Sequence, residues 1–203
     1  MKQKAENSYS KVAFNRYGLL QMEYEDTIFE VWRVEDIIEK EERLLCQFKK
    51  RVLSFREQDV FQFKKEMDLL AKSDSPYILK VLDVGEYNNW LYTLHNTTEG
   101  VRLSVYLKAA YKFDLHCILN IVNNVALALS YAHEQNIVHG TIEPDKIWIK
   151  IEAQKLYHLK LTGFGIFPFL DLTTIPSSGE LLRIVSYLSP EAVGIVNSPI
   201  NKV

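Results

Sequence analysis

The side chains best suited to chemistry gather in two strings, His139-Gly140-Thr141-Ile142-Glu143-Pro144-Asp145-Lys146 and Leu161-Thr162-Gly163-Phe164-Gly165. Thr141 carries a hydroxyl, which cannot act as a general base near neutral pH. Glu143 and Lys146 place opposite charges on one short segment, and Gly163 brings no side chain. His139 reads as a core histidine hydrogen-bonded to backbone, not as a catalyst. His133 and His139 make no convincing metal pair, and no cysteine cluster supports one. Upstream, Gln21-Met22-Glu23-Tyr24-Glu25-Asp26 carries three carboxylates, which would repel a polyphosphate. Like charges ~4 Å apart cost about 1 kcal/mol in water and more in a cleft.

These residues must be held by elements that the sequence also signals. The chain has 203 residues, 47% hydrophobic and 25% charged, which suits one domain or two small lobes sharing a cleft. A formal net charge of -2 gives no case for nucleic acid or an anionic membrane as partner. Cys46 and Cys117 stand far apart in apolar segments and read as buried thiols in a reducing compartment. The basic N-terminus lacks the apolar stretch of a secretory signal. No window approaches the roughly 18 consecutive apolar residues of a membrane span, so the expectation is a cytoplasmic chain without one.

Residues 1–13 are polar. Ile28–Val34 and Leu44–Phe48 have strand character. Ser54-x-x-Glu57 has the form of a capping box for a helix whose apolar face is Val60, Phe63, Met67 and Leu70, stopped before Pro76. Ile78–Val84 and Trp90–Leu94 suggest a hairpin, and Leu103 to Ala110 a short helix. The spacing of Ile118, Ile121, Val122, Val125, Leu129 and Ala132 predicts a long helix over 115–135 with these residues on one stripe. Ile147–Ile151 and Tyr157–Leu161 alternate as a second hairpin. The tail from Phe167 reads as loop. The order implies an α+β fold in two parts.

Several anchors in that order resemble the protein kinase family. Phe63-Lys64-Lys65-Glu66 resembles the segment carrying the helix-C glutamate, and Ser75-Pro76-Tyr77-Ile78 the turn after it. Leu91-Tyr92-Thr93-Leu94-His95 resembles the strand entering the hinge. Tyr131 to His139 resembles the run before the catalytic loop. Leu161 to Gly165 resembles the metal-binding motif, and Tyr187-Leu188-Ser189-Pro190-Glu191 the end of an activation segment. The resemblance implies a two-lobed kinase-like fold. It has a polar tail over 1–13, a small lobe of antiparallel sheet plus helix over 14–95, and a partial, mainly helical large lobe over 96–203, ending just after the Ser-Pro-Glu motif.

The resemblance also implies what each position should do, and this chain departs from it. The phosphate-binding loop needs glycines, yet none occurs between Gly18 and Gly85. The strand lysine that pairs with Glu66 falls at Gln47. The proton-accepting aspartate is Thr141, the phosphate-contacting lysine is Glu143, the metal-binding asparagine is Lys146 and the metal-binding aspartate is Gly163. Magnesium requires oxygen ligands. Leu70, His139 and Phe164 match a stack that joins the lobes, and His95 and Asn96 match the hinge. Leu45 and Trp148 stand where smaller residues usually flank the adenine, so the expectation is either that they overfill that space or that Trp148 points into the large lobe instead. Thr173, Thr174, Ser177 and Ser178 lie where activating phosphates occur, but the arginine that would receive one is Gly140.

On this reading the chain is a non-enzymatic pseudokinase domain, binding neither ATP nor magnesium in the usual mode. It would serve as a regulatory module in bacterial-style serine/threonine kinase signalling, with a protein partner such as an active kinase; homo-oligomerisation stays open. The alternatives are an unorthodox serine/threonine kinase or an ATP-binding sensor using displaced residues such as Lys49, Asp145 or Lys146, or a decayed remnant. The helix over 115–135 would lack its usual cover, whether the chain is a minimal domain, a truncated product or part of a larger polypeptide.

Overall fold

The computed structural model describes residues 12–49, 57–87, 90–175, 177–190 and 192–193. The small lobe is a six-stranded antiparallel sheet. Its strands are β1 (Val12–Ala13), β2 (Tyr17–Glu25), β3 (Phe29–Asp36), β4 (Glu41–Phe48), β5 (Val81–Tyr87) and β6 (Trp90–Asn96), in the order β1-β2-β3-β4-β6-β5. Helix α1 (Glu57–Ala71) packs on it. Phe63, Met67 and Leu70 recur at helical spacing and are the buried face of α1. The Ser54 half of the expected capping box lies outside the described residues.

Strand alternation gives β4 two faces. Leu44, Cys46 and Phe48 point toward the cleft between the lobes. Leu45 points the other way, into an outer core with Tyr17, Val34 and Leu94.

The large lobe begins with β7 (Val101–Arg102) and α2 (Leu103–Lys108). It continues through α3 (Leu115–Glu134) to β8 (Ile147–Glu152) and β9 (Lys155–Leu161), with β7-β8-β9 forming a second sheet. The Asp114 side chain caps α3 by accepting from the Cys117 amide at 2.7 Å. The face of α3 buried on the lobe carries Cys117, Ile121, Ala128 and Ala132. The expected stripe was rotated from this, since Ile118 and Val122 are exposed. At 20 residues and a hydropathy of 1.4, α3 is long and apolar enough to cross a membrane by length and composition, contrary to the sequence expectation. Within this fold it packs on β9.

The lobes are joined behind the cleft by main chain as well as by side chains. The Leu161 amide donates to the Tyr77 carbonyl at 2.8 Å, and the Leu79 amide to the Leu161 carbonyl at 3.0 Å. The tail, expected to be loop, contains α4 (Ser178–Val185). Its start is fixed by Ser177 Oγ, which accepts from the Glu180 amide at 3.2 Å, the half of a capping box that the sequence reading passed over.

Candidate functional site

A cavity of about 640 Å³, counting its open mouth, lies between the two sheets. Its roof is Val31, Leu44 and Cys46 and its floor is Trp148. Trp148 packs with Leu44 and Leu79. The expectation that Leu45 and Trp148 overfill this space is therefore corrected for Leu45 alone, since Trp148 does line the cavity and packs onto Leu44 of the other lobe. Leu45 is turned away by strand parity. The same one-residue slip moves the lysine-equivalent position from Gln47 to Cys46, which lines the cavity. Burial pushes the Cys46 thiol well up, so it stays a neutral, weakly polar wall.

His95 closes the back of the cavity, with Nε2 2.8 Å from Thr93 Oγ1. Burial pushes its imidazole down to about 4. Asn96, the next residue, is exposed at the end of β6. His139 is also held neutral, pushed down to about 3 by burial and by the nearby Lys146 charge. Its Nε2–H donates to the Thr162 carbonyl at 2.8 Å. The His139 ring lies edge-on to Phe164, with centroids 4.6 Å apart. Phe164 and Leu70 belong to one core that runs through both lobes. Glu66, half-buried, accepts from Gln62 at 2.8 Å, and burial raises its carboxyl.

The other end of the cavity is ionic. Lys146 is 1% exposed, with Nζ 2.9 Å from Glu143 and donating to Thr141 Oγ1 at 2.8 Å. Its stem fills the space that a side chain on Gly163 would need. Glu143 also meets Arg183 of α4 at 2.7 Å, and Arg183 reaches Asp26 at 3.3 Å. Glu143 and Asp26 hold Arg183 charged against the cost of its burial.

Asp26 shapes the β2–β3 turn, accepting from the Ile28 and Phe29 amides at 2.6 and 2.8 Å and from the Tyr24 hydroxyl at 2.5 Å. Arg102 donates to Asp145 at 2.6 Å and to the Glu23 carbonyl at 2.9 Å, and lies 4.4 Å over the Tyr24 ring. Asp145 also accepts from Ser104.

Arg102 and Arg183 have no sign in the sequence as parts of a site; only the fold brings them to Asp26 and Asp145. The carboxylates expected to repel phosphate freely are instead paired: Glu23 with Arg33, Glu25 with Lys49 and Asp26 with Arg183. Lys49 holds this turn from the side and does not line the cavity; it donates to the Asp26 carbonyl at 2.8 Å.

The donor set does not fit magnesium. Where oxygen ligands would be required stand an ammonium group and a glycine. Among the described residues no cluster of three or more His, Cys, Asp or Glu could hold a metal. At Gly140, a β-carbon would lie 2.2 Å from the Phe167 ring, so the position expected to carry an arginine has no room for one here.

The family model for the protein kinase domain matches residues 33–201. Serine/threonine-protein kinase PrkC of Bacillus subtilis (strain 168) is 30% identical over 180 residues, covering 87% of this chain and 26% of PrkC. The probable serine/threonine-protein kinase pknA2 of Bifidobacterium longum (strain NCC 2705) is 31% identical over 138 residues, covering 68% of this chain and 18% of that protein. The chain thus spans about a quarter or less of these relatives. The crystal structure of the Mycobacterium tuberculosis PknI kinase domain superposes with a TM-score of 0.65 at 23% identity, covering 76% of this chain and 60% of that one, a likeness of fold.

These names correct the expectation of a non-enzyme. The relatives are named serine/threonine-protein kinases, and unusual residues at motif positions are not a demonstration of inactivity. By its family match, its relatives and its two-lobed architecture, this chain belongs to the protein kinase domain family.

Proposed function

We propose that the chain is a nucleotide-binding domain of serine/threonine protein kinase type, built in an unorthodox way. Side-chain cations, Lys146 foremost, take the charge-neutralising part that metal ions would otherwise supply. The observation that carries this reading is the placement of Lys146. Its ammonium group is buried just behind the cavity lining, beside Thr141 and Glu143, and its stem runs past the bare Cα of Gly163, which does line the cavity. Phosphoryl transfer depends mainly on positioning and on neutralising charge, and a fixed ammonium can neutralise charge without a metal.

The apolar roof and floor suit a flat nucleobase. Asp145, held by Arg102 and Ser104, is the carboxylate on the cavity wall. It is the displaced group best placed to accept a proton from a serine or threonine hydroxyl, and a protein acceptor is the partner that such a reaction implies.

Titration with a fluorescent ATP analogue in excess EDTA and in excess magnesium tests this. The expected result is saturable binding of similar affinity in both, lost in Lys146→Met. A strict requirement for a divalent cation, or no binding in either, overturns it. Labelled phosphate transfer to a general acceptor protein, with Asp145→Asn as control, tests the catalytic step.

A further inference from the structure

One chain of contacts runs behind the cavity lining, which only its two end residues, Tyr24 and Gly163, join. Tyr24, on the wall, donates to Asp26; Asp26 meets Arg183; Arg183 meets Glu143; Glu143 meets Lys146; and Lys146 lies against Gly163 on the facing wall. The charges alternate along it. Nearer the mouth, Arg102 is matched by Asp145. Each cation that could meet a phosphate is therefore already occupied by a carboxylate of this same chain. Asp26 and Glu143 are 5% and 4% exposed at their side chains and Arg183 is 33% exposed, so it is the two carboxylates that sit in a largely desolvated setting. There an unmatched charge is costly and an exchange of one anion for another is the cheap route.

We propose that Arg183 is an anion-binding residue for the phosphates of the bound nucleotide, and that the Asp26 carboxylate is its built-in competitor. This rests on the nucleotide-binding reading above. In the state described here, the β2–β3 turn lies against the large lobe. Arg183 grips Asp26, while Arg102 grips the Glu23 carbonyl and covers the Tyr24 ring. A polyphosphate entering from the mouth displaces Asp26 from Arg183, and the turn lifts. Because α4 carries Arg183 and lies in the activation segment, any partner or modification that shifts α4 changes phosphate affinity without touching the base-binding part of the cavity.

The test compares adenosine with ATP, both without metal, by equilibrium titration of the whole chain. Asp26→Asn keeps the Oδ1 that accepts from the Ile28 and Phe29 amides and turns the Oδ2 that faces Arg183 and accepts from the Tyr24 hydroxyl into an amide NH2, so Tyr24→Phe is run beside it to account for that lost bond. Asp26→Asn should tighten ATP about fivefold or more, the lower end of usual coupling between sites, and leave adenosine unchanged. Arg183→Gln should weaken ATP by a similar factor, again with adenosine unchanged. Glu143→Gln, which takes one of two carboxylates off Arg183 but also leaves Lys146 without its ionic partner, should act in the same direction as Asp26→Asn, and urea unfolding of all three variants separates a folding defect from a change in binding. Equal changes for adenosine and ATP, or no change for ATP, overturn the proposal. If the unaltered chain binds neither ligand, the nucleotide-binding reading has failed and the proposal falls with it. If it binds adenosine and the variants leave ATP unmoved, only the competitor is wrong.

Discussion

The side chain of Lys146 occupies the room that a side chain on Gly163 would take. A β-carbon built on Gly163 lies 2.6 Å from Lys146 Cδ, and the glycine sits at φ +87°. The two residues are 17 positions apart in the sequence (163 − 146) yet act as one substitution, in which an acid that would hold a cation is exchanged for a cation. Gly163→Ala should therefore cost about 1–3 kcal/mol, from backbone strain and the close contact together. Urea unfolding measures this. In a Lys146→Ala background the contact part should vanish, so the added cost of Gly163→Ala should fall.

Lys146→Met leaves Glu143 buried with Arg183 as its remaining ionic partner. Breaking one member of a buried ionic set costs about 3–5 kcal/mol. The midpoint of thermal unfolding should fall clearly, and an equal loss from a conservative surface lysine change would argue against a special role.

Leu44 and Leu45 are neighbours with separate duties. Both are almost fully buried, at 1% and 0%. Either change to alanine should cost about 2–5 kcal/mol. Only Leu44→Ala should alter nucleotide affinity, because Leu44 faces Trp148 across the cavity and Leu45 faces Tyr17 and Val34. Equilibrium titration of both variants separates them.

His95 and His139 give the fold a predictable acid response. Burial pushes them down to about 4 and about 3, with the Lys146 charge adding to the effect at His139. The unfolded chain takes up protons on these groups below about pH 6.5, while the folded one does not until far lower. The stability they give is complete above that point and is lost as pH falls toward the folded values. Each imidazole contributes a slope of about 1.4 kcal/mol per pH unit in that window. Replacing His95 with Leu should remove one such increment between pH 6.5 and roughly 5, read from urea midpoints.

Both cysteines are buried and free, and burial raises both thiols. Native protein should react slowly with an aromatic disulfide reagent and rapidly once unfolded. Prompt reaction of Cys46 in the native state would mean that the small lobe lifts far more readily than its ionic contacts suggest.

How far the sequence could be read depended on whether the informative pattern was local. Phe63, Met67 and Leu70 announce the face of α1 by spacing alone, and His139 and Phe164 sit within recognisable strings. In Leu44-Leu45-Cys46-Gln47, by contrast, apolar residues occupy both parities. Alternation could not say which one faces the cleft, and the reading slipped by one. α3 is apolar on more than one side, so the expected stripe takes in the exposed Ile118 and Val122 along with the buried Ile121 and Ala132 and the half-buried Val125 and Leu129. The ionic chain was beyond reach, because Asp26 and Arg183 lie 157 residues apart and nothing near either signals the other. Only α4 had a local sign, Ser177-x-x-Glu180, which precedes an apolar Leu181 and Ile184.

The amide exchange of Leu161 with Tyr77 and Leu79 fixes the rear of the molecule as a common spine. Main-chain bonds of this kind stretch poorly, so the halves are constrained to open as covers do about a binding, widest along the front edge. The ionic clasps that Arg102 and Arg183 make join the β2–β3 turn, and not the spine, to the large lobe. A rotation at the rear is thus felt at the clasps, and breaking either one sets the angle that the covers can reach.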